Sequence, residues 1–463
     1  MSSSQAEGHT RGIRRMALVA ALLMAPACSG DSGNATAPVD VNERVTSVAV
    51  DAVVAPLLAG DTARLVAVAR DAAGRVVDGA LVHWNVSDTS LAAVDAGGRL
   101  VGRGHGMVTV TASAGQGSAA TAVPVILTAE ERRFAYAWVD EPSPGTAYHP
   151  ASGYQYNATG GSIAVTRGGT GEYVVTFERL AKVDTSFRET VLVTPTGSNG
   201  ERCHLNGWDN SATGRDLDVS VSCYTFSGAR VDARFSVVVV GSRSLPTRFG
   251  FTVAGDASAS FASVRSRTFS SFSSGVGIAR STAGSYVVQL NGGVDDTPQN
   301  YFVSTYGGAD DLCKVSSWNR GVWASVICYA PSGALSDARF SLLMLESGRP
   351  GKRFGFAWAN EPATSLGGSY VPSLLYQHTS SGHPVRIGHL ATGTYRVTFP
   401  GLAKSGSHPE TVQVSPYGGG LFTCQVQEWG NSADGTALEA TVRCWNRGNG
   451  APADTYFTIL VLE

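Results

Sequence analysis

From residue 132 onward the sequence states one pattern three times, so whatever fold it adopts is built in triplicate. Arg133-Phe134-Ala135-Tyr136, Arg248-Phe249-Gly250-Phe251 and Arg353-Phe354-Gly355-Phe356 open the copies. Each copy then carries a Gly-x-Tyr step (Gly171-Glu172-Tyr173, Gly284-Ser285-Tyr286, Gly393-Thr394-Tyr395) and a cysteine five residues before a tryptophan. A second cysteine follows, and then a segment beginning DARF, DARF or DTYF. The order never changes, which delimits three homologous units at 132–242, 247–347 and 352–463.

Side-chain alternation assigns these landmarks to strands. Phe134, Tyr136 and Trp138 fall on one face of the opening segment, as do Phe354, Phe356 and Trp358, which reads as an aromatic strand facing a core. Closing segments alternate likewise, with Phe235, Val237 and Val239 in the first copy and Phe457, Ile459 and Val461 in the third. About seven strands per copy suffice for a β-sandwich or small barrel. Six cysteines admit 15 pairings in principle, but the repeat phase selects one within each unit: Cys203–Cys223, Cys313–Cys328 and Cys424–Cys444. Leu205, Leu217, Val219 and Val221 stand at even offsets from their cysteines, placing each bridge on the buried face.

Trp208, Trp318 and Trp429 break this parity. Five residues is an odd offset, so an unbroken strand would turn each indole away from the cysteine's face. Either a bulge returns the ring to the sheet, as Asn206-Gly207 suggests in the first copy, or the three indoles are ligand-stacking platforms for a sugar or peptide. Copy two has a shorter loop after its tryptophan and Val253 where the others open with Trp, making it the poorest candidate for binding.

Upstream, Arg11, Arg14 and Arg15 precede the apolar run from Met16 to Ala25, and Ala25-Pro26-Ala27 leads into Cys28. This is the layout of a signal peptide over 1–27, too short to serve as a permanent membrane span. Residues 28–44 are mostly Ser, Gly, Asn, Asp and Pro, a tether without apolar content to order it. The cysteine after the cleavage point resembles the lipobox of bacterial lipoproteins, which implies diacylation of Cys28 and anchorage in a membrane. Ala25 stands where that motif has Leu, and Pro26 is unusual beside it, so ordinary cleavage after Ala27 is the alternative. Ser29 rather than Asp resembles the sorting rule that sends enterobacterial lipoproteins to the outer membrane. Paired cysteines in all three units agree with an oxidising destination.

Between tether and repeats, residues 45–127 show short alternating runs separated by Gly, Asp and Ser turns. Four features come in order: Trp84 within a strand pattern, Ser87-Asp88-x-x-Leu91-Ala92-x-Val94, the Gly98-Arg99-Leu100-Val101-Gly102 segment, and a final V-T-V-T-A strand. This stretch resembles the bacterial Ig-like group 2 (BIG2) domain, which implies a β-sandwich in a surface-display or adhesion setting and no catalysis. The later units resemble, in their F-A-Y-W start and C-x-x-x-x-W core, repeats of uncharacterised secreted bacterial proteins. The fold class expected is all-β, as tandem β-sandwich modules.

Composition removes some functions. Thirty-five basic against 37 acidic residues leaves a net charge of −2 and no electrostatic footprint for nucleic acid. The common zinc, serine-hydrolase, phosphate-loop and Cys-x-x-Cys motifs are absent. His378, His383 and His389 cluster in copy three without counterparts elsewhere, and with His83 and His105 they read as surface or turn residues. Asp295-Asp296 and Asp310-Asp311 lack calcium-loop spacing and read as solvated loop charge. No cofactor, metal or catalytic residue is expected. The reading is a non-enzymatic cell-surface lipoprotein, a binding or adhesion protein carrying three repeats on an Ig-like spacer, with a surface glycan or protein as ligand. A structural stalk is the first alternative and a glycan-acting envelope enzyme the second.

Overall fold

The computed structural model describes residues 40–463 apart from 52–56, 59–60, 90, 104–105, 127–132, 183–187, 243, 246, 259–266, 273–274, 291–296, 348–352 and 405–409. The leader, Cys28, most of the tether, His105, Asp295 and Asp296 lie outside the described residues. The fold is all-β, with strands, turns and a few single-turn 3-10 segments.

The first module places Trp84 between two small apolar clusters, one around Val108 and Val123, the other around Val45 and Ala112. Gly98 adopts φ +77° beneath the indole, where an added Cβ would stand 3.1 Å from the ring. Gly98 is therefore required by its positive φ, by the Leu65 carbonyl 2.7 Å from that Cβ and by the tryptophan's bulk.

In the first unit, Gln155–Asn157, Phe134–Val139, Arg234–Gly241 and Glu189–Thr196 form one sheet, in that order. Ile163–Gly169, Glu172–Phe177, Leu217–Tyr224 and Arg202–Asn210 form the other, which carries the disulfide. The short strand Gln155–Asn157 makes eight where the sequence pattern suggested about seven. Cys203–Cys223, Cys313–Cys328 and Cys424–Cys444 are bonded, and each pair sits cross-strand inside its unit's own core.

The Gly-x-Tyr landmark is a corner. Gly171, Gly284 and Gly393 take φ of +66°, +66° and +67°, and an added Cβ would lie 2.4–2.6 Å from the carbonyl oxygen of the second cysteine. Their N–H groups donate to Asp232, Asp337 and Asp454 at 2.7, 2.8 and 2.6 Å. The tyrosine two residues on sends its hydroxyl to the loop after the opening strand, Tyr173 reaching the Pro142 carbonyl at 2.6 Å and Tyr286 that of Ala257 at 2.7 Å. A basic side chain completes the corner by pairing with the aspartate: Arg167, Arg280 or His389.

The units are not beads. The disulfide-bearing sheet of unit one runs on into the first sheet of unit two through Leu205 and Tyr306, giving eight strands in one sheet. Unit three joins unit one in the same way through Val426 and Thr196, giving nine. A parallel bridge from Val315 to Tyr417 supplies the remaining junction. Three such links close a ring about a pseudo-threefold axis.

This closure changes the meaning of the aromatic opening strands. Phe134, Tyr136, Phe249, Phe251, Phe354 and Phe356 belong to a single central cluster shared by all three units, while Ala135, Ala137 and Val139 face unit one's own sandwich. Alternation had marked the aromatic face as the core face, yet both faces are buried. The small residues pack inside the sandwich and the large ones pack between sandwiches. At about 2 kcal/mol per buried ring, these six side chains alone favour closure by on the order of 10 kcal/mol before ordering entropy is counted.

Candidate functional site

The seams follow one rule three times. In each unit the strand bearing the first cysteine bulges, at Asn206, Ser316 or Gln427, and the extra residue restores the tryptophan to the cysteine's face. The indole then lies against the next unit. Trp208 is 3% exposed and meets Tyr306 edge-on at 5.4 Å, with the Arg267 guanidinium 4.6 Å from its ring. Trp318 is half-buried among Trp358, Tyr376 and Tyr417 of unit three. Trp429 is half-buried against Trp138 and Tyr154 of unit one. The expected ligand-stacking residues are thus the ring contacts between units. Where unit two offers Val253 instead of an opening tryptophan, that valine joins the cluster containing Trp208, and Arg267, at the place of Tyr154 and Tyr376, covers the indole.

Beneath the indoles runs a hydroxyl relay that the sequence reading missed. Ser304 accepts from the Val193 N–H at 2.9 Å and donates to the Val193 carbonyl at 3.2 Å. Ser415 does the same to Val303 at 3.0 and 2.9 Å, and Thr194 to Val414 at 2.9 and 3.3 Å. Each hydroxyl directly follows a valine at the same place in its buried strand, Val193-Thr194, Val303-Ser304 and Val414-Ser415, and that repeated placement was the available signal.

Charge gathers where the axis emerges. Asp310 of unit two is only 7% exposed and receives Arg202 of unit one at 2.6 Å and Arg447 of unit three at 2.9 Å. It is a buried keystone, not solvated loop charge. Beside it, Cys203, Cys313 and Cys424 line an axial cavity of about 50 Å3. The residue after the first cysteine is His204, Lys314 or Gln425, buried in every case against the next unit's glycine-containing loop. Burial pushes His204 down to about 4 and Lys314 down to about 7.

Lys314 yields a pH prediction. Its ammonium is fully buried, with the Gly419 carbonyl at 3.0 Å and the Phe422 ring at 5.4 Å. Between about 7 and its ordinary value the unfolded chain binds the proton and the folded chain does not, so stability rises with pH across that window and the penalty is complete below it. Lys314→Met is expected to stabilise the chain at pH 6 by roughly 2–4 kcal/mol and to flatten the rise, as read from urea unfolding at pH 6 and 9. Glu410 and Glu463, pushed up to about 7 by burial, act oppositely, their share of stability being lost as pH climbs from about 4.5 to 7. That lower window is unchanged in the variant.

The histidines of copy three behave differently from one another. His383 is exposed. His378 packs on Phe354 and Phe356 at the central cluster, which pushes it down to about 4. His389, 3% exposed, takes the corner position of Arg167 and Arg280, with Nδ1 2.5 Å from the Thr364 carbonyl and Nε2 2.9 Å from Asp454. His389 is therefore a buried structural group and His378 a half-buried one, because the corner and the central cluster each give an imidazole a packed place. Among the described residues no group of three or more His, Cys, Asp or Glu side chains is placed to hold a metal, and no helix is long and apolar enough to cross a membrane.

Residues 44–125 match the family model of the bacterial Ig-like domain (group 2). No curated protein sequence matches the chain. Among solved structures, the S-layer protein rSbsC(31-844) matches at 13% identity over 61% of this chain, with a TM-score of 0.17. This chain spans 36% of that one. Invasin, a bacterial integrin-binding protein, matches at 11% identity over 90% of this chain and 99% of its own, with a TM-score of 0.16.

Proposed function

We propose that this is an exported, lipid-anchored surface protein in which the Ig-like module holds a three-unit recognition head away from the membrane. Ring closure is the observation that carries the reading. A stalk gains length with every unit added, whereas units joined head to tail about one axis add width and leave loops from all three facing outward. Such a body suits presentation to a partner better than spacing. The Ig-like match at 44–125, alone between tether and head, suits the spacer. A non-enzymatic role agrees with the employment of the buried aspartates and histidines in corners and seams.

The anchor is tested at Cys28. Cys28→Ser is expected to move the exported protein from the membrane fraction to the soluble exported fraction, at unchanged abundance of folded, disulfide-bonded chain. Deletion of residues 132–463 is expected to abolish attachment of displaying cells to their target surface, while deletion of 45–127 weakens it by bringing the head closer to the membrane. Attachment that survives loss of the head would overturn the assignment of recognition to it.

A further inference from the structure

Two pockets recur at the same place in units one and two. The first is lined by Thr196, Gly197, Glu201, Asp232 and Arg234 among others, the second by Tyr306, Gly307, Asp311, Asp337 and Arg339. Their volumes are about 170 and 220 Å3, equivalent to roughly six or seven waters at about 30 Å3 each. In both, the floor is the loop that leaves Glu189–Thr196 or Gln299–Tyr306, and one wall is the start of the closing strand, Arg234–Gly241 or Arg339–Glu346.

The charges in each pocket are opposed yet not spent on one another. Asp232 and Asp337 are engaged by the corner, since Arg280 alone holds both Asp337 oxygens at 2.8 Å. The second carboxylate is different: the side chains of Glu201 and Asp311, which line the two pockets, make no hydrogen bond or ion pair among the described residues. Burial pushes Asp311 up, and the neighbouring Arg447 charge offsets this only in part, its guanidinium being bonded to Asp310. Facing it, Arg339 rests its guanidinium 4.7 Å from the Tyr306 ring, and Arg234 uses only Nε, toward the Asp140 carbonyl. A free carboxylate and a largely free guanidinium, in a pocket of this size, are complementary to a molecule that carries both charges.

We propose that units one and two each bind a small zwitterion of the free amino-acid type, its carboxylate on Arg234 or Arg339 and its ammonium on Glu201 or Asp311. A sugar fits less well, because the Tyr306 face that would stack it is occupied by Arg339 and its edge by Trp208. Unit three supplies an internal contrast, with Phe422 in the place of the free carboxylate and Tyr456 in the place of the arginine. The inference rests on the head being the recognising part of the chain, and names what two of its units recognise.

Titration calorimetry on the intact chain tests it, using a panel of free L-amino acids with acetate and methylammonium as single-charge controls. At least one amino acid is expected to bind saturably at two sites per chain, with each control at least tenfold weaker. Asp311→Asn and Arg339→Gln should each remove one site and leave the other, with circular dichroism and the thermal midpoint verifying the fold. Absence of saturable binding for the whole panel at about 10 mM overturns the proposal. So does acetate binding as tightly as the amino acid, which marks an anion site, or two sites persisting in Asp311→Asn. Cell attachment is measured separately, so a failed titration beside intact attachment removes the zwitterion site and leaves the head's assignment standing.

Discussion

Asp310→Ala is expected to lower the stability of the intact chain by about 3–5 kcal/mol, the usual consequence of removing one partner from a buried ion cluster. Arg202 and Arg447 come from different units, are 3% and 6% exposed, and both direct guanidinium nitrogens at the Asp310 carboxylate. Without it, two desolvated positive charges face each other. Burial and the Arg202 charge already hold Arg447 below the ordinary arginine value. The effect should register in all three units together, because the cluster belongs to the ring and to no single sandwich. Chemical denaturation followed by tryptophan fluorescence reads it, since Trp208, Trp318 and Trp429 lie in the three seams. The triple replacement Arg202→Met, Asp310→Leu and Arg447→Met is expected to recover most of the loss, as buried ion triads replaced by apolar groups of similar volume often do. If Asp310→Ala is neutral, the cluster is not the keystone described.

Gly393→Ala is expected to be comparably severe, at about 3 kcal/mol or more, for a different reason. Its φ of +67° costs an alanine about 1 kcal/mol, and its Cβ would stand 2.4 Å from the Cys444 carbonyl oxygen and 2.7 Å from the Ala453 nitrogen. Both neighbours are backbone, so neither can swing aside. Gly435 separates the two contributions: at φ +68° with nothing within 4 Å of its Cβ, Gly435→Ala should cost only the conformational share of about 1 kcal/mol. Thermal unfolding of the two variants side by side measures the difference. Equal losses would mean that the corner tolerates the contact.

The two variants mark what could and could not be read from the chain alone. The corner glycine was visible as a landmark because a local steric need repeats wherever the local structure repeats. The all-β class followed from alternation, and the parity break at the tryptophans pointed to a bulge as one of two answers. The keystone was invisible for the opposite reason. Position 310 is aspartate once, with Gly200 and Leu421 at the corresponding places, and its two partners lie 108 and 137 residues away. An asymmetric charge on a pseudo-symmetric axis has no periodic signature. The opening strands fall between these cases. Phe134 and Tyr136 announced a buried face, but alternation is silent on whether a partner sheet belongs to the same sandwich or to a neighbour. It was equally silent on His378, which resembled a loop residue until the central cluster gave it a floor.

The closed ring also governs when the chain can become native. The hydroxyl of Thr194 bonds to Val414, 220 residues onward, and the Lys404 ammonium to the Gly153 carbonyl across 251. Such contacts form only after long loops have been drawn shut, which slows folding in proteins rich in non-local pairing. Under the proposed export the chain emerges amino-terminus first, so unit one waits with Phe134 and Tyr136 uncovered until unit three has crossed. During that interval the aromatic strands are open to any other edge or apolar surface nearby. The last seam to close is the one that ends this exposure.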